Sequence, residues 1–199
     1  MRSNALLGII WKVTAYIFLN RLERHIEVNN KNNPDDPEVW VELEDFPIYK
    51  LSNFGRLIQI KNEVPLRTSF TGHGHAKVAL TCDGNRYTRS VSKLVAEHFV
   101  ERPDDKCDTV IIKNRHLEDC AAYNLEWRPN WFAWEYANQF NRMVPIAFQD
   151  RFVVNLSLDV RYPNIVETAI NEGLLMRDIY RSILNGTPVY PNYHFYRFL

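Results

Sequence analysis

The chain has 199 residues, 46% of them hydrophobic, enough for one or two modest cores. Its 24 Lys and Arg balance 24 Asp and Glu, so no global field marks it as a nucleic-acid binder. Three cysteines, Cys82, Cys107 and Cys120, make an odd number without C-x-x-C spacing; this argues against a disulfide framework or zinc knuckle and fits reduced thiols in a cytoplasmic compartment.

From Ala5 to Leu19 the run ALLGIIWKVTAYIFL is apolar apart from Lys12 and Thr14. It falls short of the ~20 residues of a membrane-spanning helix. No small-residue cleavage site follows it, which argues against a secretory signal; the absence of acids before Glu23 leaves a mitochondrial presequence open. The expectation is an N-terminal helix within residues 1–28 and no membrane contact. Apolar positions run nearly all round that helix, so one contact face leaves too much exposed. A partner is expected to bury the rest, with Ile9, Trp11, Tyr16 and Phe18 as its contact candidates.

Residues 29–38 read as a linker, since NNKNNPDDP over 29–37 is polar, proline-flanked and aperiodic. Short strands are expected at Val39–Val41 and Leu57–Ile60, around a turn at Ser52-Asn53-Phe54-Gly55. Ala76–Cys82 and Arg86–Ser90 flank Asp83-Gly84-Asn85, a strong hairpin signal because these residues tolerate positive φ. Val91, Leu94, Val95 and Phe99 have helical spacing, and 130–141 is a second helix candidate rich in Trp and Phe. Beyond it come expected strands at 144–148, 152–158 and 194–199, and a helix pair over 163–172 and 175–184. Gly173 is expected to turn the pair and Gly186 to stop it.

Several of these pieces resemble one family. FPIYKLSNFGR over 46–56 is similar to the nuclease-associated modular domain of phage-type HNH homing endonucleases, matching at Tyr49, Ser52, Asn53, Gly55 and Arg56. Gly74 to Leu80 resembles that family's G-Y-x-x-V-x-L strand, with His75 in place of Tyr. Val91 to Phe99 resembles V-H-R-L-V-A-x-x-F, with Ser92 in place of His, and Asn124-Leu125-Glu126-Trp127 is its N-L-E-W. Residues 165–197 are similar to the C-terminal DNA-binding module, with Ile183-Leu184-Asn185-Gly186 closing the helix pair and His194 to Phe198 as its last strand. The resemblance implies an α+β fold: a small antiparallel strand module with a ββα HNH-like core over 39–142, then a C-terminal strand plus helix-turn-helix module over 143–199. It has no counterpart for the leading helix and linker.

The family's chemistry needs one divalent cation, held by a carboxylate or amide and by an Asn or His on the following helix, and a histidine that deprotonates water. Counted back from Asn124 to Trp127, the acid-plus-His pair falls on Ile111 and Ile112, and the helix ligand falls near Ala133 or Trp134. Hydrocarbon side chains offer no lone pair. Asp108 lies three residues away, a slip that changes strand face and brings no histidine. His116 and Asp119 are expected in an exposed loop, and His73 and His75 on the surface. No metal and no cofactor are expected; Mg2+ or a similar cation enters only if the site is rearranged.

Charge fits this reading, with 13 basic against 15 acidic residues over 36–130 and 6 against 6 over 131–199. Local nucleic-acid contacts remain open at Lys50, Asn53 and Arg56 and at Arg177, Arg181 and Asn185 on the last helix. The expected function is a catalytically inactive relative of the homing endonucleases, kept to bind DNA or RNA, a larger assembly, or both. An active nicking endonuclease and a DNA-binding regulator using the C-terminal helices are the alternatives. The resemblance places such a protein in a phage-infected bacterial cytoplasm, or else in a virion or organellar particle.

Overall fold

A computed structural model describes residues 37–141 and 150–199. The leading helix with Ile9, Trp11, Tyr16 and Phe18, most of the linker, and the strand expected at 144–148 lie outside the described residues. Val39 to Leu199 forms a compact unit. Its mixture of small antiparallel sheets and helices is the α+β class expected.

Four strands open it: β1 (Trp40–Leu43), β2 (Phe46–Ser52), β3 (Leu57–Gln59) and β4 (Val64–Pro65), paired in that order. Phe46, Tyr49 and Leu51 turn inward on β2. Gly55 follows with φ +78, and a Cβ there would stand 3.1 Å from Cys120 Cβ, so glycine alone fits this turn. A three-stranded sheet comes next, from β5 (Ser69–Phe70), β6 (Ala76–Cys82) and β7 (Asn85–Ser90). Asp83 and Gly84 both have positive φ between the paired Cys82 and Asn85, a two-residue type I′ turn. Asn85 thus belongs to the strand rather than to the expected three-residue loop.

Helix α1 (Val91–Phe99) has the predicted bounds and buries Val91, Leu94, Val95 and Ala96. Trp127 Nε1 donates to Val100 O, and also to Ala96 O, which already accepts from Val100 N at the helix end. Strands β8 (Thr109–Ile112) and β9 (Leu125–Arg128) pair antiparallel and lead into α2 (Asn130–Gln139), a ββα unit. The main core joins Leu51, Leu80, Val95, Ile112, Leu125 and Trp127 from these elements.

The C-terminal part is a sheet of β10 (Val153–Asn155), β11 (Val160–Tyr162) and β12 (Tyr196–Phe198), with β10 central, and the helices α3 (Ile165–Glu172) and α4 (Met176–Asn185). The strands are shorter than expected because Asn155 ends β10: its Oδ1 accepts from Ser157 N and Leu158 N and turns the chain. Asn164 caps α3 by accepting from Glu167 N, and left-handed Gly173 ends it. Helix α4 has no side-chain cap of its own. Gln139 of α2 supplies one, accepting from Met176 N at 2.7 Å while donating to Leu174 O at 3.1 Å.

Beneath the C-terminal sheet lies a buried carboxylate. Glu172 Oε1 accepts from Asn155 Nδ2 at 2.7 Å and Tyr162 OH at 2.8 Å, and Oε2 from Asn192 Nδ2 at 2.9 Å and Tyr196 OH at 3.1 Å. His194 Nδ1 stands 3.7 Å away. Burial pushes this carboxyl up, but His194 and the Asn155 and Tyr162 donors more than offset it, leaving its pKa below the ordinary value. The expected division at 142/143 runs between elements that share a core: Ile111, Phe132 and Tyr136 cluster with Leu175.

Candidate active-site position and nucleic-acid interface

Strand period decides where the two isoleucines go. On the β8–β9 ladder Ile111 stands opposite Glu126 and Ile112 opposite Leu125, so the two side chains leave on opposite faces. Ile112 enters the main core. Ile111, 4% exposed, meets Phe132, Tyr136 and Leu175, with half-buried Ala133 against the same cluster. Ile111 and Ala133 therefore come together between β8 and α2, and Ile112 stands apart from them.

The nearest carboxylate on Ile111's face is Glu126. It is paired with Arg128 and, at 3.5 Å, with Lys113. Gly173 abuts it: a Cβ there would lie 2.6 Å from Glu126 Oε2, so the turn between α3 and α4 closes on this cluster only with glycine in its left-handed conformation. Tyr136 OH donates to Lys113 O at 2.8 Å and Ala169 O at 3.3 Å. A divalent cation does not fit these residues. Ile111 and Ala133 offer it no lone pair, and Lys113 and Arg128 already neutralise Glu126. Among the described residues no three His, Cys, Asp or Glu side chains converge.

The rescue candidates also stay apart. Asp119 accepts from Asn114 Nδ2 at 2.6 Å and Tyr123 OH at 3.4 Å, while the exposed His116 meets it only through the backbone. Burial and the Asp119 charge push the Tyr123 hydroxyl pKa up. Asn124, 3% exposed, donates to Asn114 Oδ1 and Asp119 O and accepts from Asn114 N, which knots the turn before β9. Asp108 accepts from the Thr109 hydroxyl. His73 and His75 lie exposed in the turn before β6, not on a strand. Buried Cys120 has its thiol pKa pushed up to about 11 by burial.

The predicted nucleic-acid contacts divide into two groups. In the first, Lys50 is 3.5 Å from Glu42. Asn53 Oδ1 accepts from Val39 N, tying β1 to the turn, and the Arg56 guanidinium lies 5.9 Å from the Trp40 ring centre. In the second, Arg177 reaches Glu135 of α2 at 2.8 Å as well as Asp178, and Arg181 reaches Asp178 at 3.3 Å. Asn185 is exposed at the end of α4. The two groups lie on separate elements, and most of these residues are engaged within the chain.

A surface that the sequence reading passed over is the outer face of the β5–β6–β7 sheet. Ala76, Val78 and Leu80 point inward. The register therefore puts Ser69, Lys77 and Ser90 in one outer row, Ala79 with Thr88 in the next, and Thr81 with Arg86 in the last. That face carries two cations and small polar groups and no carboxylate. Net charge over a hundred residues averages it away; the alternation in Lys77-Val78-Ala79-Leu80-Thr81 was its signal.

A ββα unit entered through N-L-E-W and preceded by small antiparallel sheets makes the chain HNH endonuclease-like. It is similar to HNH endonuclease L247 of Acanthamoeba polyphaga mimivirus, itself uncharacterised, at 26% identity over 92 residues, 46% of this chain. The chain spans about a quarter of that relative's length, 23%. Among solved structures it is similar to the HNH homing endonuclease I-HmuI, described in its DNA binding and cleavage, at 19% identity and a TM-score of 0.48, covering 81% of this chain and 98% of that one. No protein-family profile matches the chain.

Proposed function

We propose that the chain binds duplex DNA and does not cut it. The observation that carries this reading is the sealed apolar layer at Ile111, where an HNH endonuclease needs a cation's ligand. Losing one preorganised electrostatic contact costs about 3 kcal/mol of transition-state stabilisation, roughly a hundredfold in rate. Here ligand, base and helix ligand are hydrocarbon together.

Binding rests on different residues. The outer face of the β5–β6–β7 sheet presents Lys77 and Arg86 among Ser and Thr hydroxyls, and both cations lie on the β6–β7 hairpin, a two-stranded ribbon of the kind the major groove of a duplex admits. Phosphate neutralisation supplies most of such affinity and makes it fall with salt. The name of the mimiviral relative, an endonuclease, agrees with a nucleic-acid partner.

Two measurements on one preparation test this. Fluorescence anisotropy with a labelled duplex, taken across a salt series, is expected to show binding that Lys77→Ala and Arg86→Ala weaken. Supercoiled plasmid incubated with Mg2+ or Mn2+ is expected to stay supercoiled. Nicking that chelator abolishes and that follows the protein through purification overturns the inactive reading; salt-insensitive or absent binding overturns the other half.

A further inference from the structure

The outward face of the C-terminal sheet is ordered in three rows. Antiparallel pairing sets Phe152 beside Leu199, whose N–H donates to Phe152 O at 3.0 Å, and Leu156 beside Phe195, whose carbonyl accepts from Leu156 N at 2.8 Å. Between these apolar rows Val154, itself only 2% exposed, is flanked by Arg161 on β11 and Arg197 on β12, so the exposed part of the middle row is the two arginines. Phe152, Leu156, Phe195 and Leu199 are 55, 50, 40 and 56% exposed. Val153 and Tyr196 leave on the other face and join the core with α3 and α4. Both arginines are exposed, and among the described residues neither has an ion-pair partner. Asp159 stands at the rim, in the turn between β10 and β11.

We propose that this face docks a protein partner through a segment that joins apolar side chains to a carboxylate. Four large apolar groups gathered around two arginines have the make-up of an interface centre, where Phe and Arg are enriched and Lys is depleted. A guanidinium covered by a partner needs an acceptor there, or its desolvation opposes binding. A carboxylate placed between two apolar anchors meets both demands. DNA phosphates match the arginines but leave four hydrocarbon side chains against a polyanion. A second copy packed face to face on a two-fold axis brings arginine rows against arginine rows, a like-charge contact. The face belongs to a different sheet from the one that carries Lys77 and Arg86, so the inference is independent of the DNA-binding reading.

The test is selection of a displayed random-peptide library on the full chain, with counter-selection on an Arg161→Glu, Arg197→Glu variant. A synthetic peptide of the enriched composition and its charge-reversed form are then titrated by calorimetry. Enriched peptides are expected to combine Leu, Ile, Val or Phe with Asp or Glu. The synthetic peptide is expected to lose at least tenfold in affinity on the double arginine variant, and likewise on a Phe152→Ser, Leu156→Ser variant. Arg197→Ala alone, with its melting temperature checked, keeps the test open if the double variants fold poorly. Enrichment of basic or purely apolar peptides, or of none, overturns the proposal. So does a dimer in sedimentation equilibrium that the same substitutions dissolve, or protection of this face from hydrogen exchange by duplex DNA.

Discussion

Beneath α2, the interior layer around Ile111 is hydrocarbon and aromatic; beneath β10, the interior is built round the Glu172 carboxylate and its four donors. Both lie out of water, so both face the same rule: a polar group there must be fully partnered or absent. The first layer is filled by Ile111, Phe132 and Leu175, with Ala133 against them, and asks for no partner of that kind. The second keeps its charge because Asn155, Tyr162, Asn192 and Tyr196 all donate to it. The difference teaches that polarity itself is tolerated in this fold. The apolar filling at Ile111 belongs to that position, not to a general preference of the chain for apolar interiors.

The comparison is most open to attack at Ile111. Ile111→Asp puts an unpaired carboxylate into the apolar layer and is expected to cost about 4 kcal/mol, roughly 10 °C in melting temperature. If millimolar Mg2+ restores that loss in a thermal melt, the layer still holds a cation's place and the contrast fails. Glu172→Ala takes the carboxylate from buried Asn155 and Tyr196 and half-buried Tyr162 and Asn192, and is expected to cost about 3 kcal/mol, read by chemical denaturation. A loss below about 1 kcal/mol sinks the polar-core half.

The pH dependence sharpens the same contrast. Because the folded-state pKa of Glu172 is lowered, its contribution is complete above the unfolded value of about 4.3 and drains as pH falls towards the native one. Melting temperature is therefore expected to drop below about pH 4, and Glu172→Gln is expected to flatten that limb. Gly173→Ala forces a left-handed alanine against Glu126 and is expected to cost about 2 kcal/mol. Gln139→Leu uncaps α4 for about 1 kcal/mol, a melt shift of a few degrees.

Local chemistry made much of the architecture legible. Alternation in Ala76–Cys82, the Asp83-Gly84 turn, the 3.6 period over Val91–Phe99, and the glycines at 173 and 186 each act within a few residues, and each is found where it was read. Strand lengths after 150 were overread, because the Asn155 side chain turns the chain where the hydrophobic pattern runs on. That Ile111, Ile112 and Ala133 bring no donor atom is likewise plain from the sequence, since a hydrocarbon has no lone pair in any fold.

What a list of residues leaves undecided is which of them meet. Only the folded chain sends Ile111 and Ile112 to opposite faces, closes Gly173 onto Glu126, and gives Arg177 to Glu135 across two helices. Only strand register gathers Lys77 and Arg86 on one face, or sets Arg161 and Arg197 either side of Val154. Periodicity and turn geometry act between near neighbours and are written in the sequence. Pairing across strands, burial and charge proximity depend on contacts between distant segments, and those are decided by packing.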